Sequence, residues 1–214
     1  MSLDDTEPGQ EAQLPELRQL TDARTLRALA HPVRIAIVEQ LSIGGPMTAT
    51  EVGELISETP TTCSFHLRQL AKYGFVEEAG GGKGRARPWR MTSIGHQISS
   101  THDDPETAIA ANALVRLIRE RQLDRYRTWL ETRAAYPREW REAAGDSEYV
   151  FYLTVKELEQ LSSELTAILM PLFEQRMADP SKRPPGSVPV QLLLLSHPIA
   201  YPEADRAEAE ETPG

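Results

Sequence analysis

A chain of 214 residues with 40% hydrophobic and 26% charged side chains can bury one good core and a smaller second one, and its make-up is that of a soluble globular protein. No apolar run approaches the roughly 18 residues of a membrane span, the acidic start Met1–Glu11 reads as neither signal nor transit peptide, and a single Cys63 excludes an internal disulfide and fits a reducing cytoplasm. The formal net charge of −9 is unevenly spread: acids crowd both ends, whereas residues 58–92 set the six bases Arg68, Lys72, Lys83, Arg85, Arg87 and Arg90 against only Glu58, Glu77 and Glu78.

Residues 1–13 are acidic and almost free of apolar side chains, which predicts a disordered tail. A helix is expected from about Pro15 to Leu29, with Leu17, Leu20, Leu26 and Leu29 apolar and Thr21-Asp22 as a place to break or re-cap it. His31-Pro32 marks a boundary, since the residue before proline avoids helical geometry and proline suits a first turn. The next helix runs from Pro32 to about Leu41 on Val33, Ile37, Val38 and Leu41, and Ser42-Ile43-Gly44-Gly45-Pro46 ends it. Thr48 or Thr50 caps a short third helix that buries Val52, Leu55 and Ile56 and stops near Ser57.

Thr59 to Tyr73 is the stretch with the sharpest division of faces. Thr59 caps, Pro60 opens and Gly74 closes a helix. At about 100° per residue, Cys63, Leu67 and Leu70 fall on one side, and Thr61, Phe65, Arg68, Gln69 and Lys72 on the other. No acid lies between Pro60 and Tyr73. Such a face suits a DNA major groove: hydroxyls and cations meet phosphates, while Arg and Gln read base edges. Arg68 and Gln69 are the expected base readers, with Thr61, Thr62, Ser64 and Lys72 toward phosphates. Phe65 either meets a thymine methyl or tucks against the neighbouring helix. His66 is expected to pack and hydrogen-bond within the domain. The few residues before Pro60 force a sharp crossing of two helices, as in a helix-turn-helix.

Phe75 to Glu78 then reads as a strand, Ala79 to Gly84 as a glycine-rich tip, and Arg85 to Met91 as the returning strand. Lys83, Arg85, Arg87 and Arg90 make this hairpin basic. Three helices and a basic hairpin compose a winged helix.

The runs Leu26 to Leu41 (L-R-A-L-A-H-P-V-R-I-A-I-V-E-Q-L), Thr48 to Ile56 (T-A-T-E-V-G-E-L-I) and Ser64 to Glu78 (S-F-H-L-R-Q-L-A-K-Y-G-F-V-E-E) together resemble the arsenic-repressor-like (ArsR-type) winged helix-turn-helix transcription factors of bacteria. The resemblance covers about residues 23–95. It implies a homodimer on palindromic DNA, by family habit a repressor. It also implies that the Thr61–Lys72 face enters the major groove and the Lys83–Arg90 wing follows the backbone or the minor groove.

From Pro105 to Tyr136 a wide apolar stripe persists through many charges, which predicts a long dimerisation helix. Its seam is assigned to Leu114, Leu117, Ile118, Tyr126 and Trp129. Tyr149–Leu153 is expected to be a strand. Thr154 with Glu157 forms a capping box for a helix from Val155 to about Met177 that Pro171 should kink or break. Val188–Leu195 is expected to be a second strand, before an acidic tail that is disordered from residue 201. The expected class is therefore mainly α with small β. A winged helix-turn-helix over 14–98 is followed by a dimerisation or effector unit over 105–200, made of the long helix and a small α+β part.

Other chemistries find little footing. A thiolate metal sensor needs more than Cys63, and His31, His66, His96, His102 and His197 show no H-x-x-H or H-x-x-x-H spacing, so neither metal nor cofactor is expected, with a His and carboxylate site at a dimer seam as the alternative. His102-Asp103-Asp104 suits a loop and a cap. Phosphate-loop, dinucleotide and nucleophile-elbow motifs are lacking, so no enzyme is expected. The competing reading is a winged helix whose partner is a protein, favoured by the acidic tails. In the C-terminal unit, Tyr126, Trp129, Tyr136, Trp140, Tyr149 and Tyr152 suffice either for a dimer core or for a small-molecule effector pocket.

Overall fold

The computed structural model describes residues 17–80, 87–99 and 101–200. The expected terminal tails and the tip of the hairpin, including Lys83 and Arg85, lie outside them.

The chain begins with β1 (Leu17–Leu20) and α1 (Ala23–Leu29). The helix expected from Pro15 is thus replaced by a strand as far as Leu20, and its break falls at Thr21-Asp22, as the sequence allowed. Asp22 starts α1 instead, its carboxylate accepting from the Thr25 amide at 2.8 Å. Helix α2 spans Pro32–Gly44, with the His31 ring nitrogen Nδ1 accepting from the Val33 amide at its start. Helix α3 (Ala49–Ile56) carries a full capping box, Thr48 and Glu51 each satisfying the other's amide. Ser57 follows in the left-handed region (φ 57°) and turns the chain into α4 (Pro60–Lys72). A side chain at Gly53 would collide with the Glu58 carbonyl, 2.6 Å from an ideal Cβ, so glycine permits the close approach of this turn.

Strands β2 (Val76–Glu78) and β3 (Trp89–Met91) form the antiparallel hairpin. Met47 and Trp89 exchange two backbone hydrogen bonds and extend the hairpin toward α3. Strand β4 (Gly95–Ile98) then runs parallel to β1, pairing Leu17 with Gly95 through Leu20 with Ile98. Helix α5 (Pro105–Thr132) starts on Asp104, whose carboxylate accepts from the Thr107 amide. A short α6 (Arg138–Ala143) and a long α7 (Val155–Ala178) complete the helices. Thr154 and Glu157 form the capping box of α7, and the helix continues through Pro171 rather than ending there.

One core holds the elements from β1 to the first turns of α5. Leu26 and Leu29 of α1, Ile37 and Leu41 of α2, Val52 of α3, and Cys63, Leu67 and Leu70 of α4 are buried with Phe75 and Val76. The first turns of α5 add Ala110, Ala111 and Leu114. Farther along, Arg121 and Arg125 of α5 both reach Glu39 of α2, at 2.7 and 3.0 Å. Leu55, expected inside, is exposed because the short α3 turns that edge outward.

Beyond Leu114 no described residue is buried. The two strands expected in this half do not form; 149–153 and 188–195 belong to neither helix nor strand. A strand gains its stability from a neighbour that completes its hydrogen bonds, and here none is supplied. Tyr149, Val150, Phe151 and Val155, with Ile168 and Leu172 of α7, stand in solvent, as do Val190, Leu192 and Leu194. The smaller second core is therefore not closed within one chain.

His96 of β4 is packed edge-on against Phe75, ring centroids 5.1 Å apart, and its Nε2 is buried without a partner among the described residues. Burial, aided by the Arg18 charge, lowers its pKa to about 4. The unfolded chain therefore takes up a proton near pH 6.5 that the fold refuses until about pH 4. Stability is whole above pH 6.5 and falls as pH drops toward 4, by about 3 kcal/mol for the full interval. Urea melts at pH 7.5, 6 and 4.5 should show this slope, and His96→Gln should flatten it; an unchanged slope in the variant would remove His96 as the cause.

Candidate nucleic-acid interface

Helix α4 is fixed from beneath and bare above. Thr59 oxygen Oγ1 accepts from the Thr62 amide at 3.1 Å and lies 2.9 Å from the Thr62 hydroxyl, so the first turn is closed. Cys63, His66, Leu67 and Leu70 are buried. Thr61, Phe65, Arg68 and Lys72 are exposed, a line spaced four, three and four residues apart along one side of the helix. Gly74, at φ 70°, ends the helix, and Phe75 donates its amide to the Leu70 carbonyl.

The expected contact residues thus separate. Phe65 is 51% exposed and lies on the outer line rather than under the neighbouring helix, its ring edge also touching His66. Ser64 and Thr62 are half-buried on the flank nearest the start of the helix. Gln69 is half-buried too, rotated off the outer line toward α1 and α2. In the hairpin, Arg87 pairs with Glu78 and Arg90 with Glu77, both at 2.7 Å across the strands. The sequence count of acids against bases includes these glutamates without showing that they sit opposite the arginines. All four side chains are well exposed, and such pairs contribute about 0–1 kcal/mol, so a phosphate can displace either carboxylate.

Behind α4 lies a cluster of nitrogen bases. The His31 and His66 rings are 4.6 Å apart. Burial first and neighbouring positive charge second lower both pKa values, Arg34 acting on each. His66 packs within the domain as expected, but its Nδ1 has no hydrogen-bond partner among the described residues. Cys63 is fully buried, and that burial, with Glu58 nearby, raises its pKa. A thiol so placed behaves as a small apolar side chain. No group of three or more His, Cys, Asp or Glu side chains suited to a metal comes together among the described residues. His102 contacts the Ser99 carbonyl, and Asp104 serves as the α5 cap.

Of the side chains assigned to a seam on α5, Leu114 is fully buried in its own chain, so it seats the helix and is unavailable to a second copy. Leu117 and Ile118 pack partly against the same core. Tyr126 and Trp129 are half-buried, and Trp129 meets Tyr136 edge-on at 4.9 Å. Tyr149 stacks on Phe151 at 6.0 Å, and Tyr152 is fully exposed.

A feature absent from the sequence reading is a solvent-open cleft of about 270 Å³ lined by Arg24, Arg27, Ala28, Arg34, Gln69 and Tyr73. Its arginines come from two helices seven or more positions apart in sequence. The one signal in the sequence is Arg34, which lies in the Leu26–Leu41 run that carries the family resemblance.

A family described as "Helix-turn-helix domain" matches residues 29–79, which span α2, α3, α4 and the first strand of the hairpin. No curated protein sequence matches the chain. Among solved structures, the chain is similar to NMB1585, a MarR family regulator from Neisseria meningitidis, with 17% identity over 66% of this chain and 75% of that one. The TM-score of 0.29 is too low for that likeness to bear on function. Among the described residues no helix is long and apolar enough to cross a membrane.

Proposed function

We propose that the chain is a sequence-specific DNA-binding transcriptional regulator, a homodimer that acts on palindromic DNA as a cytoplasmic repressor. The observation that carries the reading is the exposed line Thr61–Phe65–Arg68–Lys72 on a helix whose opposite side is buried. It ends in cations, holds no acid, and belongs to the matched helix-turn-helix. Arg68 is the base reader, Phe65 supplies an apolar contact for a thymine methyl, and Thr61 and Lys72 meet phosphates. Thr62 and Ser64 support the phosphate side from the flank. Gln69 reaches bases only by turning out of its cleft. Lys83, Arg85, Arg87 and Arg90 of the hairpin complete the backbone contacts. The ArsR-type resemblance of Leu26–Glu78 supports repression as the sign of control.

The dimer reading rests on the apolar surface that one chain leaves open after Leu114. Leu117, Ile118, Tyr126 and Trp129 of α5 contribute to its seam, and the side chains of 149–155 and 188–195 find in a second copy the cover they lack.

The test begins with selection of bound duplexes from a random pool. Affinity for the selected site is then measured by fluorescence anisotropy across a salt series. A steep fall in log affinity with log salt is expected, with a slope near −0.9 per phosphate neutralised. Enriched sites should carry two related half-sites about one helical turn apart. Failure to enrich any sequence, with a flat salt response, would leave the second reading, a module whose exposed C-terminal apolar segments bind another protein.

A further inference from the structure

The cleft between α1, α2 and α4 has the chemistry of an anion site. Arg24 and Arg27 of α1 and Arg34 of α2 line it, with Gln69 and Tyr73 from the end of α4. No carboxylate is among its lining residues. Among the described residues, the one acid paired with them is Glu106, which meets Arg27. Arg24 and Arg34 are left as surplus positive charge. Arg34 is drawn inward: one terminal nitrogen donates to the Arg27 carbonyl, while its Nε is buried with no partner among the described residues. A buried guanidinium nitrogen without an acceptor is costly. Burial lowers the Arg34 pKa accordingly.

We infer that the cleft binds the phosphate or carboxylate group of a small anionic molecule, held by Arg24 and Arg34. Guanidinium groups meet such oxygens through paired N–H donors, and the Gln69 amide and Tyr73 hydroxyl supply further donors. The volume of about 270 Å³ accommodates a small metabolite rather than a peptide. Because Gln69 and Tyr73 belong to the end of α4, the occupant touches the helix assigned to DNA and retains Gln69 in the cleft.

Binding is measured without DNA, so it stands or falls apart from the DNA reading. Inorganic phosphate and citrate are titrated calorimetrically into the full chain at constant ionic strength set by chloride. Saturable binding of at least one probe is expected, weakened about tenfold or more in Arg24→Gln, since a hydrogen bond to a charged group contributes about 1.5–3 kcal/mol. Arg24 is exposed, so the variant keeps the fold; circular dichroism and an unchanged melting temperature in chloride verify that. Absence of saturable binding by both probes overturns the inference, as does equal affinity in wild type and variant. A third result overturns it as well: free anions fail to bind, but Arg24→Gln lowers the salt slope of DNA binding. The cleft would then seat a phosphate of the DNA backbone.

Discussion

Arg68→Ala should weaken binding to the selected duplex by about 1–3 kcal/mol, roughly five- to 150-fold, and erase preference at one base pair of each half-site. Arg68 lies at the middle of the outer line of α4, exposed, and takes part in none of the ion pairs among the described residues. Among the described residues no side chain competes for its donors. The paired N–H groups of arginine match the two acceptors on a guanine edge, so Arg68→Lys should keep much of the salt dependence and still lose the base preference. Lys72→Ala should behave differently, weakening all duplexes alike and reducing the salt slope by about one. The measurement is anisotropy on the selected duplex and its single-base variants at one fixed salt concentration. If Arg68→Ala leaves their ranking intact, Arg68 does not read bases.

The largest effect on stability is expected at Phe75. Phe75→Ala should cost about 3–5 kcal/mol in urea melts, a large share of the 5–15 kcal/mol that holds a typical domain together. Phe75 has no exposed surface and is the largest fully buried side chain. Its ring takes the Arg18 guanidinium at 4.8 Å on its face and the His96 ring beside it. Its carbonyl is tied to Thr92, and its amide closes the end of α4. Removal of the ring leaves a void where α4, the hairpin, β1 and β4 meet. Phe75→Leu should cost far less, because most of the volume is kept. A loss below about 1 kcal/mol for Phe75→Ala would mean that the site collapses and is not a structural junction.

The winged-helix half was legible because its signals are local. Pro60, Thr59 and Gly74 mark the ends of α4 through rules that act within one turn, and Cys63, Leu67 and Leu70 mark its buried side. The capping box at Thr154 was legible in the same way, whereas at Thr48 the sequence offered only a cap, with Thr50 as an alternative. What escaped depends on distant partners. Leu17 and Leu20 have helical spacing, but β4, which pairs with them, lies 78 residues away. Tyr149–Leu153 has the composition of a strand and no strand beside it, and composition cannot supply one. The sequence counts Glu77 and Glu78 but cannot show that the register sets Glu77 opposite Arg90 and that Arg87, just before β3, pairs with Glu78. The arginine cleft was hidden because its members converge only when α1 and α2 fold against α4.

The parallel pairing of β1 with β4 has a mechanical meaning. Arg18 of β1 donates to the Gly74 carbonyl at the foot of α4, and β4 is the element that precedes α5. Glu39 then fastens α5 back onto α2. The far end of α4 and the root of the long helix are thus mounted on one bracket, the β1–β4 pair. In a dimer joined through α5, the separation of the two α4 helices would be set by that bracket, like the fixed span of a caliper. A change in how two copies meet would then register directly as a change in which half-site spacing they can grip.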